Sequence, residues 1–443
     1  MSMDTEVLVV GSGPAGISAA ATAATHGRQV LLLDDNLAPG GQIWREATTP
    51  RQEESDNVKR KTLLALRVSG ARVFSGWSVF DVPRPGVVRA IYDNGDNGSG
   101  THTTDISYER LIVATGARER FLPFPGWTLP GVFGAGGLQA LARGGYSVTG
   151  KRIVVAGSGP LLLPVAAHLR QMGARVTTVA EQASRKQLAR FSAFLSRQPG
   201  KLIEGLQYRA ATGGSTYRLG CWPLAALGTE KVEGVRLTDG QRTWEEPCDL
   251  LACGFHLVPN TELAALLGCA LRDGFIEVDD VQQTSVTNVF AAGEPTGIAG
   301  LESALLTGTI AGLAAAGKIE EAKALLPRRQ KSERFAEQLK SAFALRPELL
   351  SLAQPDTIVC RCEDVTFETL KAYESWSEAK RQTRCGMGAC QGRVCGPATE
   401  ALFGWRTSSV RPPLFPVPMS AMGAGPNRPS PNEPSTERPS TDQ

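Results

Sequence analysis

Short apolar runs alternate with glycine-rich turns along this chain, and where a longer apolar stretch occurs it is rich in alanine. Residues 6–10 lead straight into Gly11-Ser12-Gly13-Pro14-Ala15-Gly16. An alanine-rich stretch follows to about Gly27, and a second apolar run, 29–33, closes on Asp34-Asp35. A short apolar run bounded by turn formers reads as a buried strand, and a run of roughly ten or more as a helix. The segment is therefore predicted as strand, helix, strand.

The polar stretch 47–61 reads as helix or loop. Strands are expected at 71–79 and 87–92, a hairpin turn at 93–104, where Gly, Asn and Thr cluster, and a short strand at 110–114. The pattern then restarts. Residues 151–156 read as a strand, Gly157-Ser158-Gly159-Pro160 as a turn, 161–172 as a helix and 175–179 as a strand. Two such units predict an α/β fold with a parallel sheet in each half. Residues 289–292, closing on Gly293-Glu294, are expected to return to the first half. Residues 319–350 are charged and helical in pattern and read as a connector. From Pro412 the chain turns to Pro, Ser, Gly and Thr. Such a tail buries too little to offset its ordering entropy, which predicts disorder or an extended wrap over a partner.

The first glycine loop has a mechanism attached. Gly11 allows a tight turn, Gly13 lets a pyrophosphate reach the backbone, and Gly16 lets helix and strand pack closely. The helix N-terminus then presents unpaired N–H groups to the phosphates. Asp34 stands at the end of the second strand, where a carboxylate accepts from ribose hydroxyls. The second loop departs from this pattern. Leu162 replaces the third glycine, and the residue at the ribose offset is Ala180, with Glu181 adjacent. The expectation is looser helix–strand packing and a misplaced acceptor. Two readings stay open there: a site for NAD, or a degenerate domain that is empty or holds another nucleotide.

Composition narrows the function. Net charge is +3, from 47 basic and 44 acidic residues, too balanced to suggest nucleic acid as a partner. No apolar run approaches the roughly 20 residues of a transmembrane helix, and residues 1–6 lack the parts of a signal peptide. A cytoplasmic setting is expected, with membrane association through a complex left open. In a reducing compartment the nine cysteines point to metal binding or core packing rather than disulfides. Cys221, Cys248, Cys253 and Cys269 are scattered among apolar residues and read as core. No Cys-x-x-Cys occurs in 134–150, which speaks against disulfide reduction. The four histidines (His26, His102, His168, His256) form no catalytic constellation, and the run Arg118-Glu119-Arg120 reads as solvated or as an interface.

Five cysteines fall between Cys360 and Cys395: Cys360-Arg361-Cys362, then Cys385, Cys390 and Cys395 among glycines. Two groups a helix–turn–helix apart can converge on one centre, and four thiolates suit Zn²⁺ or a [2Fe–2S] cluster. A ligand pair using Cys385 and Cys390 stays open on spacing alone.

Three further segments favour FAD over NAD in the first half: Gly40-Gly41-Gln42-Ile43, Ala114-Thr115-Gly116, and residues 288–294, which end in an acid. With them the chain resembles the two-dinucleotide-binding-domain flavoproteins. The resemblance implies a flavin-facing Gly41, Gln42 and Ile43, an Ala114-Thr115-Gly116 turn, and an acid holding the ribityl chain. Here that acid is Glu294, after Gly293, where Asp is usual. The implied cofactor set is Gly11, Gly13, Pro14, Ala15, Gly16, Asp34, Asp35, Gly41, Gln42, Ile43, Ala114, Thr115, Gly116, Gly293, Glu294, Gly300 and Leu301. The cysteine segment resembles the bacterioferritin-associated-ferredoxin-like [2Fe–2S] domain. That resemblance implies Cys360, Cys362, Cys390 and Cys395 as ligands and leaves Cys385 spare.

Up to the tail, the chain resembles the α subunits of heteromeric amine dehydrogenases, the group of opine oxidase, D-hydroxyproline dehydrogenase and hydrogen cyanide synthase. Proline dehydrogenase and sarcosine oxidase stand further off. The residues that carry this are Asp34-Asp35-Asn36 with Pro39 to Ile43, Ala156 to Leu163, Ala292 to Gly297, and Gly386 to Gly392. The resemblance implies a two-dinucleotide-binding-domain flavoprotein of FAD/NAD(P)-type Rossmann domains with a small C-terminal α-helical [2Fe–2S] domain. It divides the chain into an FAD-binding domain (1–118 and 281–325), a second nucleotide-binding-type domain (119–280), a connector (326–353), a [2Fe–2S] domain (354–408) and a tail (409–443). It also implies a D-amino-acid-oxidase-like β subunit that oxidises a secondary amine or amino acid such as an opine or D-hydroxyproline. Left open are an interface FMN and a small ferredoxin-like γ subunit. A self-contained NAD(P)H-dependent reductase and a non-enzymatic iron–sulfur protein are the competing readings.

Overall fold

The computed structural model describes residues 2–45, 57–92, 101–196, 199–406 and 410–422. The first half begins with β1 (Ser2–Val10), α1 (Pro14–Thr25) and β2 (Val30–Asp34), followed by α2 (Asn57–Val68), β3 (Arg72–Ser75), β4 (Trp77–Arg84), β5 (Val87–Tyr92) and β6 (His102–Val113). β1 lies between β2 and β6, parallel to both, in the order β3-β2-β1-β6-β5-β4. Each βαβ crossover places its helix on one face of the sheet, so central strands are buried on both sides and read as continuous apolar runs; β2 is buried at all five positions.

The expected short strand at 110–114 is in fact the end of β6, twelve residues long. Its first part pairs antiparallel with β5 and alternates polar Thr103, Asp105 and Ser107 with buried Thr104 and Ile106, a period-two pattern that hides a strand from a search for apolar runs. Most of the expected turn at 93–104, like part of the stretch 47–61, lies outside the described residues.

β7 (Ala117–Glu119) leads to β8 (Val132–Gly134), α3 (Ala135–Arg143), β9 (Arg152–Ser158), α4 (Leu162–Gln171), β10 (Arg175–Glu181), α5 (Arg185–Leu195), α6 (Pro199–Ala211) and β11 (Thr216–Leu219). A meander of β12 (Trp222–Leu227), β13 (Gly234–Thr238) and β14 (Thr243–Pro247) precedes β15 (Leu250–Phe255) and β16 (Leu257–Pro259). The second sheet is parallel throughout, ordered β11-β10-β9-β15-β8. β7 and β16 pair antiparallel where the chain passes between the two sheets in each direction.

After α7 (Glu262–Leu266) and the hairpin of β17 (Leu271–Arg272) and β18 (Phe275–Ile276), β19 (Val289–Ala291) adds to β6 of the first sheet. α8 (Leu301–Ala315) packs against α1, with Gly308 so close to the Ala15 carbonyl that no Cβ fits between them. α9 (Ile319–Lys323) and α10 (Leu326–Ala342) form the connector. The cysteine segment then builds its own small core from β20 (Ile358–Cys360), β21 (Val365–Thr366), α11 (Phe367–Lys371), α12 (Trp376–Thr383) and α13 (Cys395–Phe403). It is docked on the second half: Trp127 Nε1 donates to the Ile358 carbonyl at 2.6 Å, and Arg361 lies over the Trp127 ring at 5.6 Å.

The tail departs from expectation as far as it is described. Residues 410–422 lie along the chain's own first sheet. The Leu414 N–H donates to the Phe80 carbonyl at 2.8 Å, Phe415 meets Phe80 edge-on, and Ala421 is buried beside Phe80 and Ile91. The few apolar residues in this otherwise polar tail are what anchor it. Residues 423–443 lie outside the described residues.

Candidate functional site

Register decides what meets at the edge of the first sheet. Val10 pairs with Leu33 and with Val113, and Val113 pairs with Ala291. The C-terminal ends of β1, β2, β6 and β19 are therefore level, and the turns that follow them share one edge. Those turns are Gly11 to Gly16, Asp34-Asp35, Ala114-Thr115-Gly116 and Ala292-Gly293-Glu294. In open α/β sheets this is the edge where ligands bind.

Within that edge the glycine loop is fixed by hydrogen bonds. Gly11, at φ 105°, donates to the Leu33 carbonyl at 2.8 Å, and the Ser12 N–H donates to the Asp34 carboxylate, whose other oxygen accepts from Asn36 N–H at 2.7 Å. Gly16 sits so close to the Gly11 carbonyl that a Cβ would collide with it. α1 starts at Pro14 from Gly13 with no side-chain cap and no acid in its first turn, and space is open beside Gly13. Gly40 N–H donates to the Ser12 carbonyl at 2.8 Å, which brings Gly41, Gln42 and Ile43 beside the loop.

Asp35, Gly41, Gln42, Ile43, Glu294, Gly300 and Leu301 line one cleft of about 3260 Å³; its other wall includes Gly159 of the second glycine loop and Glu119 at the end of β7. Glu294 is half-buried there, and desolvation pushes its carboxyl pKa up. Gly11, Gly13, Pro14, Ala15, Gly16, Asp34, Ala114, Thr115, Gly116 and Gly293 form the strand-end turns at this edge, with Gly293 N–H held by Thr307 Oγ1 at 3.0 Å.

Asn260, which sequence reasoning passed over, and Arg118, read only as part of a solvated or interface run, complete the edge. Asn260 is tied to the Ala114-Thr115-Gly116 turn: Thr115 Oγ1 donates to its carbonyl at 2.5 Å, and its amide donates to the Thr115 carbonyl at 2.9 Å. Arg118 donates to Asn260 Oδ1 at 2.6 Å and to the Arg393 carbonyl at 3.2 Å, and pairs with Glu262 at 2.9 Å. The run 118–120 is thus an interface within the chain. Glu119, pushed up by burial, accepts from the N–H groups of Gly136 and Gly137 at the start of α3. A charged triplet directly after a strand-end Ala-Thr-Gly was the available signal.

The second glycine loop corrects two expectations. Leu162 is fully buried and fits because its neighbour is Gly254, so packing there is close. Glu181 stands one residue beyond Ala180 at the end of β10, and its carboxyl accepts from Gly159 N–H at 2.9 Å and Ala183 N–H at 2.8 Å. Burial raises its pKa to about 7 against the opposing pull of those N–H groups. The acceptor is displaced by one position rather than lost.

The cysteine segment converges as the spacing suggests, and more fully. The sulfurs of Cys360, Cys385 and Cys395, all buried, lie within 4.8 Å of one another. Cys390 interacts with Cys395 and with the exposed Cys362, and it is held below the usual thiol range by Cys395 and by the N–H groups of Val394 and Gly392. Gly388 is pressed against Cys362 where no Cβ fits. All five cysteines therefore form one sulfur-rich group, and Cys385 is inside it. The remaining four are buried as expected, with burial raising every one of their thiols.

Comparisons with known proteins bear on this geometry. The family described as pyridine nucleotide-disulphide oxidoreductase matches residues 5–319. The chain is 30% identical to an opine oxidase subunit of Rhizobium meliloti, over 95% of this chain and 88% of that protein. It is also 30% identical to the hydrogen cyanide synthase subunit HcnB of Pseudomonas protegens, over 95% and 97%. Among solved structures it resembles L-proline dehydrogenase from P. horikoshii, with a TM-score of 0.63 and 19% identity, over 96% of this chain and 80% of that one.

Proposed function

We propose that this chain, which belongs to the pyridine nucleotide-disulphide oxidoreductase family, is the electron-relay subunit of a heteromeric FAD-dependent dehydrogenase that oxidises a secondary amine or amino acid. The family implies FAD, and relatives spanning nearly the whole chain are named as subunits of opine oxidase and hydrogen cyanide synthase. A D-amino-acid-oxidase-like β subunit would carry the substrate site; further components would be an interface FMN and a small γ subunit. No helix among the described residues is long and apolar enough to cross a membrane.

The residues fit the cofactors. The uncapped start of α1 and the open space beside Gly13 suit a pyrophosphate. Asp34 retains lone pairs for ribose hydroxyls, Glu294 would offer a half-buried acceptor to the ribityl chain, and Gly41, Gln42 and Ile43 would lie along the flavin. Cys360, Cys362, Cys390 and Cys395 would hold an iron–sulfur centre, and an all-sulfur donor set suits one. When bound, FAD accepts two electrons and an iron–sulfur centre passes them singly. The chain's own residues would hold both groups and order the wall between them.

The observation that carries the relay reading is the Arg118 bridge. One guanidinium hydrogen-bonds Asn260, which orders the Thr115-Gly116 turn, and the carbonyl of Arg393, which stands between Cys390 and Cys395. Arg361, between Cys360 and Cys362, lines the same cleft as Gly41 and Ile43. The proposed flavin and sulfur sites thus share one wall. The contact of Glu181 with Gly159 favours a second reading, an NAD(P)H-dependent reductase.

Anaerobic addition of NADH and then NADPH to the purified chain separates the two. No flavin bleaching by either, with full bleaching by dithionite and no amino-acid oxidation by the chain alone, is expected. Rapid bleaching by a nicotinamide nucleotide would establish the reductase instead. Co-purification with the partner subunit, followed by a screen of opines and D-amino acids, then identifies the substrate.

A further inference from the structure

Where α10 ends, the Phe343 carbonyl is met by donors from three neighbouring strands of the second sheet. Ser158 Oγ at the end of β9 donates to it at 2.9 Å, His256 Nε2 just past β15 at 2.7 Å, and Gln182 Nε2 just past β10 at 3.4 Å. A ring nitrogen that faces a carbonyl carries the proton, and His256 is held there at φ 69°. The chain leaves β9 toward β10 on one side and returns as β15 on the other, so β9 marks the switch point of this sheet. The crevice outside the strand ends at a switch point is where open α/β sheets take their ligands.

The connector is fastened into that crevice. Gln182 is fully buried; its Nε2 also donates to the Ala344 carbonyl at 3.1 Å, and its Oε1 accepts from Arg346 N–H at 3.2 Å. The Phe343 ring packs with buried Ala183, two residues past Glu181, and meets Phe191 of α5 edge-on at 5.7 Å. The Arg346 guanidinium lies over the Trp222 ring at 4.4 Å. Gly159 still faces the cleft, so what the connector fills is the crevice beyond the glycine loop.

We infer that residues 343–346 are a built-in plug of the second sheet's ligand crevice, held by Gln182 and Phe343, and that they set the specificity of the chain for its electron donor by shutting out nicotinamide dinucleotides. This deepens the relay reading, with which a nicotinamide donor competes. A ligand that needs the open crevice has its affinity lowered by the fraction of chains in which the plug is out.

The test uses the full chain and the double variant Gln182→Ala with Phe343→Ala, with bound flavin as the check on folding. NADH binding is followed by calorimetry on the oxidised chain under conditions where flavin reduction is monitored separately, so a failure here is distinct from a failure of the relay reading. Hydrogen exchange at the Arg346 amide reports the plug. The double variant is expected to exchange faster there and to bind NADH about tenfold or more tighter than the unaltered chain. Equal affinity in the two proteins overturns the inference, and so does an Arg346 amide that exchanges no faster in the variant. Saturable NADH binding by the unaltered chain with that amide still protected overturns it as well, even where the variant does not fold.

Discussion

Glu181 accepts a hydrogen bond from the backbone N–H of Gly159 at 2.9 Å, the counterpart in the second glycine loop of the bond from Ser12 to Asp34 in the first. The two carboxyls differ in setting. Asp34, 6% exposed, accepts from Ser12 and Asn36, whereas Glu181, 1% exposed, accepts from Gly159 and Ala183 and has its pKa raised by burial to about 7.

The buried Glu181 carboxyl predicts a pH dependence of stability. The folded Glu181 binds its proton more tightly than the unfolded one, from 4.5 up to about 7. Folded protein therefore holds more protons between those values, and stability falls as pH rises through them, by at most about 3 kcal/mol, then levels off. Glu181→Gln should flatten this slope and raise the melting temperature at pH 8. Urea denaturation of both proteins at pH 5 and pH 8 measures it; parallel slopes would show that Glu181 is ionised in the folded state.

Arg118→Ala should uncouple the two proposed redox sites without emptying them. Its bonds to Asn260 and Arg393 join the Thr115-Gly116 turn to the cysteine loop, and its loss leaves Glu262 without its ion pair. A destabilisation of about 2 kcal/mol is expected for hydrogen bonds of a half-buried charge. Flavin and iron contents should stay at the level of the unaltered chain, while electron transfer between them, followed by rapid mixing, slows.

Gly16→Ala should abolish flavin retention. The new methyl group would strike the Gly11 carbonyl and approach Ala114, so the turn that aims α1 at the cofactor must open. The purified variant should release no flavin on denaturation while keeping its iron, so that only the brown absorbance of an iron–sulfur centre remains. A yellow variant with normal flavin content would show that the turn relaxes without loss.

Phe80→Ala should loosen the strap formed by residues 410–422. Phe80 is 1% exposed and meets Phe415. A loss of about 3–5 kcal/mol follows from deleting a buried ring, against a smaller loss for the less buried Phe415→Ala. Proteolysis near Leu414 should accelerate in both variants, and thermal melts rank them.

The sequence by itself determined the βαβ units, the strand-end glycines and the clustering of five cysteines, because each is a local consequence of residue type. A left-handed turn needs Gly11, close packing on its carbonyl needs Gly16, and a strand buried on both faces must be apolar along its length, as 30–33 is before it closes on Asp34. The alternating first part of β6 was lost in the same reading, since a half-covered strand shows no apolar run. Only the tertiary structure decided which turns share an edge, because that depends on the register of Val10 with Leu33 and Val113, and of Val113 with Ala291, across long separations. It likewise decided that Glu181 takes the acceptor place beside Ala180, that Arg118 spans from Asn260 to Arg393, and that Cys385 faces Cys360 and Cys395. Each of these follows from how separate segments pack, and packing joins residues whose distance along the chain carries no signal of their contact.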